Sequence, residues 1–296
     1  MTDCIVKFLK VMVLCTTVLL PGEIHAQALS SNPGPVKHIY KTRGLTRLKL
    51  YVYQPLSREL DKRIPAIIFF HGGGLKERHT WEFEPQGKYL VERGMVAVLA
   101  TYSIKHSGRT EFESIADVRS AIRWVRRHAL ELGIDENRIA AGGGSAGGYL
   151  AACAALIKDP GEKNADLSIS PIPNALVLFN PRVIMPSTGD PPLSKKDIRY
   201  LNGRTLEELS PFHNISRGAP PTILFQGTAD GEASVNDARQ FCEKMVSFGN
   251  ACEVVYYEGR VHGFFHYFHG NNPDFLSTME TTVLFLSKLG FIPGDQ

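Results

Sequence analysis

From about residue 36 onward, short wholly apolar runs alternate with longer stretches in which apolar residues recur at every third or fourth position. The first pattern suits strands covered on both faces, and the second suits helices that bury one face. Their alternation predicts a mostly parallel sheet flanked by helices. Eight strands are expected, at 36–40, 48–53, 66–70, 96–101, 139–141, 175–179, 222–225 and 253–257. The clearest helix is expected over 112–132, where Ile115, Val118, Ile122, Val125 and Ala129 form an apolar stripe and leave the arginines outside. Further helices are expected at 146–157, 235–248 and 273–289. The segment 182–210, rich in proline, glycine and charge, is expected to cross the top of the sheet as a lid or long loop. With no repeat and no linker in the way, residues 29–296 are expected to form a single domain.

Composition narrows this picture only a little. In a chain of 296 residues, 43% hydrophobic and 21% charged residues describe a globular protein rather than a disordered one or a membrane bundle. The densest basic run, Arg123-Trp124-Val125-Arg126-Arg127, falls on the helical pattern and is expected to be its solvated face, so no nucleic-acid partner is implied. At the N-terminus Lys7 and Lys10 precede an apolar run, 11–20, and Ala26-Gln27-Ala28 resembles a signal-peptidase site. Residues 1–28 therefore read as a cleavable signal, and the protein as secreted or periplasmic. The apolar run is too short to span a bilayer, so no stable membrane anchor is expected. Export would leave Cys153, Cys242 and Cys252. Cys153 falls in an apolar helix and reads as a buried hydrophobe. Cys242 and Cys252 flank the turn Gly249-Asn250 and are candidates for a disulfide. No histidines or cysteines stand at metal-ligand spacing, so no metal site is expected. A homodimer is left open.

The candidate chemistry centres on Ala141-Gly142-Gly143-Gly144-Ser145-Ala146-Gly147-Gly148, between a strand pattern and a helix pattern. Gly142, Gly144 and Gly147 match the G-x-G-x-x-G of a dinucleotide site. Gly143, Ser145 and Gly147 match the G-x-S-x-G of a serine hydrolase. A dinucleotide site also needs an acidic residue at the end of the next strand, which instead ends in Asn180. The hydrolase reading makes further demands, and the chain meets them in order. A serine hydroxyl needs a base, and His262, His266 and His269 follow the last strand; His262, in Gly259-Arg260-Val261-His262-Gly263, leads. A carboxylate must orient that base, and Asp230 in Gly227-Thr228-Ala229-Asp230-Gly231 is preferred to Glu232 and Asp237. An oxyanion hole needs backbone N–H groups without side chains in the way, and His71-Gly72-Gly73-Gly74 follows the third strand directly. Gly73, Gly74 and Ala146 are read as donors, with Gly72 in the turn, and His71 as a structural residue. The competing reading of Ser145 is a helix N-cap. His266 and His269 read as packing or surface residues.

The set His71-Gly72-Gly73-Gly74, Gly143-Gly144-Ser145-Ala146-Gly147, Asp230 and His262-Gly263-Phe264-Phe265 resembles the α/β-hydrolase superfamily, in particular its hormone-sensitive-lipase-like carboxylesterases, over residues 64–291. The resemblance implies an α/β-hydrolase fold with a central eight-stranded, mostly parallel sheet. It also implies a triad of Ser145, Asp230 and His262, and ester hydrolysis through an acyl-enzyme without a cofactor. Two departures stand out: few residues are left for an N-terminal cap, and the family's Tyr-Arg after the fourth strand is Tyr102-Ser103. A small-molecule or carbohydrate ester, acetyl or feruloyl, is the expected substrate. The alternatives are a non-catalytic binding protein on the same scaffold and a serine peptidase of the same superfamily.

Overall fold

The computed structural model describes residues 34–56, 62–104, 110–158, 165–186, 201, 203–268 and 273–293. The expected signal segment, the central part of the expected lid (187–200) and His269 lie outside these residues. Among them, one sheet of eight strands forms: β1 (Val36–Arg43), β2 (Thr46–Tyr53), β3 (Ile64–Phe70), β4 (Val96–Ala100), β5 (Ile134–Gly144), β6 (Ala175–Phe179), β7 (Thr222–Gly227) and β8 (Cys252–Tyr257). Their order across the sheet is β1-β2-β4-β3-β5-β6-β7-β8. The hairpin β1–β2 is antiparallel, as is the pairing of β2 with β4, and every other pairing is parallel. Strands β4, β6 and β7 are buried along their whole length, as their unbroken apolar runs require, whereas the edge strands β1 and β8 alternate in exposure.

Helices cover both faces. On one side pack α2 (Glu111–Arg127), α4 (Ala146–Leu156) and α5 (Val235–Ser247), contributing Ile115, Ile122, Leu150, Phe241 and Met245 to the core. On the other pack α1 (Glu84–Val91) and α6 (Pro273–Lys288), through Leu90, Phe275 and Met279. A column of rings runs through this second layer: Phe83 lies 4.9 Å from Phe69 and 5.6 Å from Phe265, and Phe179 lies 4.9 Å from both Phe265 and Phe225.

Four features depart from the sequence pattern. The helix expected over 112–132 is two, α2 and α3 (Ala129–Leu132), separated at His128, whose backbone leaves the helical region. Helix α1 has no counterpart among the expected elements. Its stretch Glu84-Pro85-Gln86-Gly87 carries a glycine inside the helix and no amphipathic stripe, and the proline at its first turn suits a helix start. The arginines of α2 are not all solvated. Arg119 and Arg123 are each only 7% exposed. Arg119 donates to the carbonyls of Ala154 and Ile157, and Arg123 to that of Ile169, so alkyl stems bury while guanidinium groups satisfy loose chain ends. Finally, Asp117 is wholly buried on α2, where Arg43 Nε at 2.6 Å and Lys41 Nζ at 3.0 Å tie it to the edge strand β1.

The expected disulfide joins Cys242 on α5 to Cys252 at the start of β8, with Cα atoms 5.2 Å apart. Cys153 is a free, fully buried thiol, and burial raises its pKa well above the usual range, which keeps it uncharged and unreactive.

Candidate active site

The expected site residues all sit in loops at the carboxyl ends of parallel strands: the glycine run after β3, Ser145 after β5, Asp230 after β7 and His262 after β8. This is the edge at which open α/β sheets bind ligands. Ser145 stands between β5 and α4 with φ 50° and ψ −117°, a conformation that costs a side-chain-bearing residue about 1–3 kcal/mol. It is held there by its N–H donating to the Phe179 carbonyl at 2.8 Å and its carbonyl accepting from Tyr149 N–H at 3.0 Å. Its side chain makes no capping hydrogen bond to α4, which removes the helix-cap reading. The sharp turn depends on Gly143 and Gly147. A Cβ at either would collide with the carbonyl oxygen of Phe70, so the strand and helix reach this approach only without side chains.

Asp230 and His262 meet. His262 Nδ1 lies 2.8 Å from Asp230 Oδ2, and the Asp230 side chain is fully buried. Asp230 Oδ2 also accepts from Asn180 Nδ2 at 2.7 Å and Gln226 Nε2 at 3.2 Å, while Oδ1 accepts from the N–H groups of Glu232 at 2.8 Å and Ala233 at 2.9 Å. Burial alone would raise the Asp230 pKa. The bonds from His262 and from the two backbone N–H groups outweigh it and hold the carboxyl below the usual range. For His262 burial favours the neutral ring, but the hydrogen bond and charge of Asp230, with smaller contributions from Glu232 and Glu82, raise its pKa above the ordinary value. With Nδ1 donating to Asp230, Nε2 is the nitrogen left for chemistry; Glu232, exposed, comes no nearer to it than 3.8 Å. Asp237 is buried on α5.

In the glycine loop the N–H of Gly72 donates to Glu82 Oε2 at 2.5 Å, which assigns Gly72 to the turn. Gly73 and Gly74 have φ 97° and 59°, values that favour glycine, and together with Ala146 they offer the remaining N–H groups. His71 is buried and stacks on Tyr102 with ring centroids 4.3 Å apart. Its Nδ1 donates to the Gly72 carbonyl at 2.7 Å, and burial pushes its pKa down to about 4. A neutral ring of this kind shapes the loop.

Ser145 and His262 share two concavities. A cleft of about 990 Å³ is lined by the glycine loop, Lys76 through Glu82, Phe265 and His266. A smaller cavity of about 200 Å³ lies on the other side, walled by Ala146, Tyr149, Arg182 and Met185. Three contributors escaped the sequence reading. Asn180 takes φ 45° while buried, and asparagine is among the few residues other than glycine that adopt it readily, so Asn at a strand end was a usable signal. Glu82 had no signal of its own. His266 is partly exposed and lies against the Phe265 ring, as a packing or surface residue would, but it also has a specific partner: its Nε2 lies 2.7 Å from Glu82 Oε1. Among the described residues no group of histidines, cysteines or carboxylates is arranged to hold a metal ion.

Fold and site together define an α/β-hydrolase of the carboxylic ester hydrolase class, and comparison with known proteins agrees. The BD-FAE family model matches residues 50–174. The chain is 32% identical over 200 residues to the probable carboxylic ester hydrolase LipM of Mycobacterium tuberculosis, covering 63% of this chain and 46% of that protein, so it spans about half of LipM. To the carboxylesterase NlhH of the same species it is 26% identical over 242 residues, covering 76% and 73% of the two chains. The solved structure of an esterase from the planctomycete Thermogutta terrifontis, Est2, superposes with a TM-score of 0.83 at 40% identity, covering 89% of this chain and 95% of that one. The chain belongs to the hormone-sensitive-lipase-like carboxylesterases.

Proposed function

We propose that the protein is a secreted serine esterase that hydrolyses short-chain carboxylic esters with Ser145 as nucleophile, His262 as base and Asp230 as the carboxylate that orients the base. The observation that carries the reading is the 2.8 Å contact between His262 and the buried carboxylate of Asp230, with His262 sharing cavity walls with a serine held at φ 50°. Ser145 Oγ attacks the ester carbonyl carbon while His262 Nε2 takes its proton. The negative oxygen that forms is held by the N–H groups of Gly73, Gly74 and Ala146. The carbon–oxygen bond to the alcohol then breaks, and His262 returns the proton to the departing alkoxide, leaving an acyl-enzyme. Water, activated by the same nitrogen, attacks the acyl carbon and frees the acid and Ser145.

Two features support a short acyl group and a bulky alcohol. The 200 Å³ cavity suits an acyl group of a few carbons, and structures of the Thermogutta esterase hold propionate and butyrate. The larger cleft carries the half-exposed ring of Trp81 beside Lys76, Glu77, Arg78 and His79, a wall suited to a polar alcohol such as a sugar. The disulfide supports export, because such bonds persist in oxidising compartments. N-terminal sequencing of the secreted protein should begin near Gln27 or Leu29, and a chain starting at Met1 would refute export.

The decisive assay sets p-nitrophenyl acetate against a peptide anilide. Ester hydrolysis is expected, with Ser145→Ala lowering kcat about a million-fold. Wild type inactive toward both substrates would favour the binding protein, and faster anilide cleavage the peptidase. A folded Ser145→Ala variant retaining a tenth of the rate would end the assignment. Paraoxon, which phosphorylates the Thermogutta esterase, should titrate one equivalent of wild type and none of that variant.

A further inference from the structure

Glu82 takes no part in the steps above, yet its side chain is only 10% exposed and lies beside the site. A carboxylate withdrawn from water is costly unless hydrogen-bonded on both oxygens. Here the two oxygens go to two different loops. Oε2 accepts the N–H of Gly72, at the root of the glycine loop, and Oε1 lies 2.7 Å from His266 Nε2. His266 is four residues beyond His262 in a closed turn, where its N–H donates to the Gly263 carbonyl at 3.1 Å. Gln86, on α1, adds a second tie to that turn by donating to the Phe265 carbonyl at 3.3 Å. Segment 82–86 therefore grips the base-bearing loop at two points and the glycine loop at one. It is the bridge between the groups that move the proton and those that hold the oxyanion.

We propose that Glu82 and His266 are positioning residues for ester hydrolysis: the carboxylate clamps Gly72 to His266 and so sets the N–H groups of Gly73 and Gly74 relative to Nε2 of His262. The inference rests on the triad reading given above. Charge-assisted hydrogen bonds are short and directional, which suits a clamp. Its effect belongs to the transition state, because the oxyanion donors matter most once charge has developed on the carbonyl oxygen.

The test compares wild type with Glu82→Ala, Glu82→Gln, His266→Ala and the double variant Glu82→Ala/His266→Ala, measuring kcat and KM for p-nitrophenyl acetate together with Tm. Misplacing catalytic groups by about 1 Å costs about a hundredfold, so Glu82→Ala should lower kcat by about 10- to 100-fold with KM changed less than about threefold. Glu82→Gln keeps an acceptor for the Gly72 N–H and presents an amide N–H that His266 Nε2 can accept as the neutral Nδ1–H tautomer, so it should recover at least about a fivefold part of that loss. The double variant should fall within about twofold of Glu82→Ala alone, since both changes open the same clamp. Folded Glu82→Ala or His266→Ala with kcat within about twofold of wild type would overturn the proposal, as would losses that multiply in the double variant, or a raised KM at unchanged kcat. If Glu82→Ala fails to fold, Glu82→Gln, His266→Ala and their combination carry the same comparison. Ser145→Ala is run alongside. Activity in that variant means that the triad reading has failed, whereas an inactive Ser145→Ala beside fully active clamp variants refutes the clamp alone.

Discussion

Asp230 receives hydrogen bonds from two backbone N–H groups and three side chains, and that crowding decides how His262 titrates. The charge it keeps raises the pKa of His262, so the ring holds its proton to higher pH than an ordinary histidine. In the proposed mechanism His262 is the base and must be neutral, so kcat/KM should rise with pH through a midpoint above about 6.5. Asp230→Asn removes the charge that holds the proton. The limb should then move to lower pH while the plateau falls by about 10⁴-fold, the loss seen when an orienting carboxylate is exchanged for an amide. An unmoved limb would mean that the titrating base is not the ring facing Asp230. At this scale the sequence was readable where chemistry leaves a local signature. Ser145, the glycine run and His262 each sit among glycines that announce a turn. Glu82 and His266 were unreadable because their pairing spans 184 residues and neither stands in a motif.

At the scale of elements, the hydrophobic pattern located every strand, the inner ones by their unmixed apolar runs and the edge strands β1 and β8 by short, mixed β-branched and aromatic runs. It missed α1, whose packing against the sheet overrides a weak local preference, and it put the arginines of α2 in water. Where helix meets sheet edge, Asp117 anchors β1 through Lys41 and Arg43. Removing one partner of a buried pair costs about 3–5 kcal/mol, and here both bases keep some contact with water, so Asp117→Ala should cost about 3 kcal/mol. Urea unfolding should show this as a lower midpoint at unchanged slope, and a shift worth less than about 1 kcal/mol would show that the edge hairpin does not depend on the pair. The disulfide, whose cysteines are separated by 10 positions, closes a short loop between α5 and β8. Chain entropy assigns such a loop about 2–3 kcal/mol, so reduction should lower Tm by several degrees without abolishing activity. An unchanged Tm after confirmed reduction would place its stabilisation near zero.

At the scale of the whole molecule, loops spread along most of the chain converge on one edge of the sheet, where the two concavities open, and the proposed function assigns the acyl group to the smaller and the alcohol to the larger. Across p-nitrophenyl esters, acetate to butyrate should give the highest kcat/KM, with a steep fall beyond about eight carbons. Each further methylene gains its roughly 0.8 kcal/mol only if it is buried, and a cavity of 200 Å³ leaves little room to bury it. Preference for the palmitate ester would show an acyl tunnel that these walls do not form.

The ring column gives the edge that carries Ser145 and His262 an unusual foundation. Phe265, three positions past His262, lies among Phe83 and Phe179, and its ring occupies the space that a side chain at Gly144 would need. The loop bearing His262 thus has its root in the core, on the sheet that supports Ser145. Catalytic loops commonly open far more readily than the domain that carries them, but this one can leave only by withdrawing an aromatic ring from the interior. Local opening and global unfolding should therefore be nearly one event for residues 262–266, and their amide hydrogens should exchange with solvent almost as slowly as those of β5.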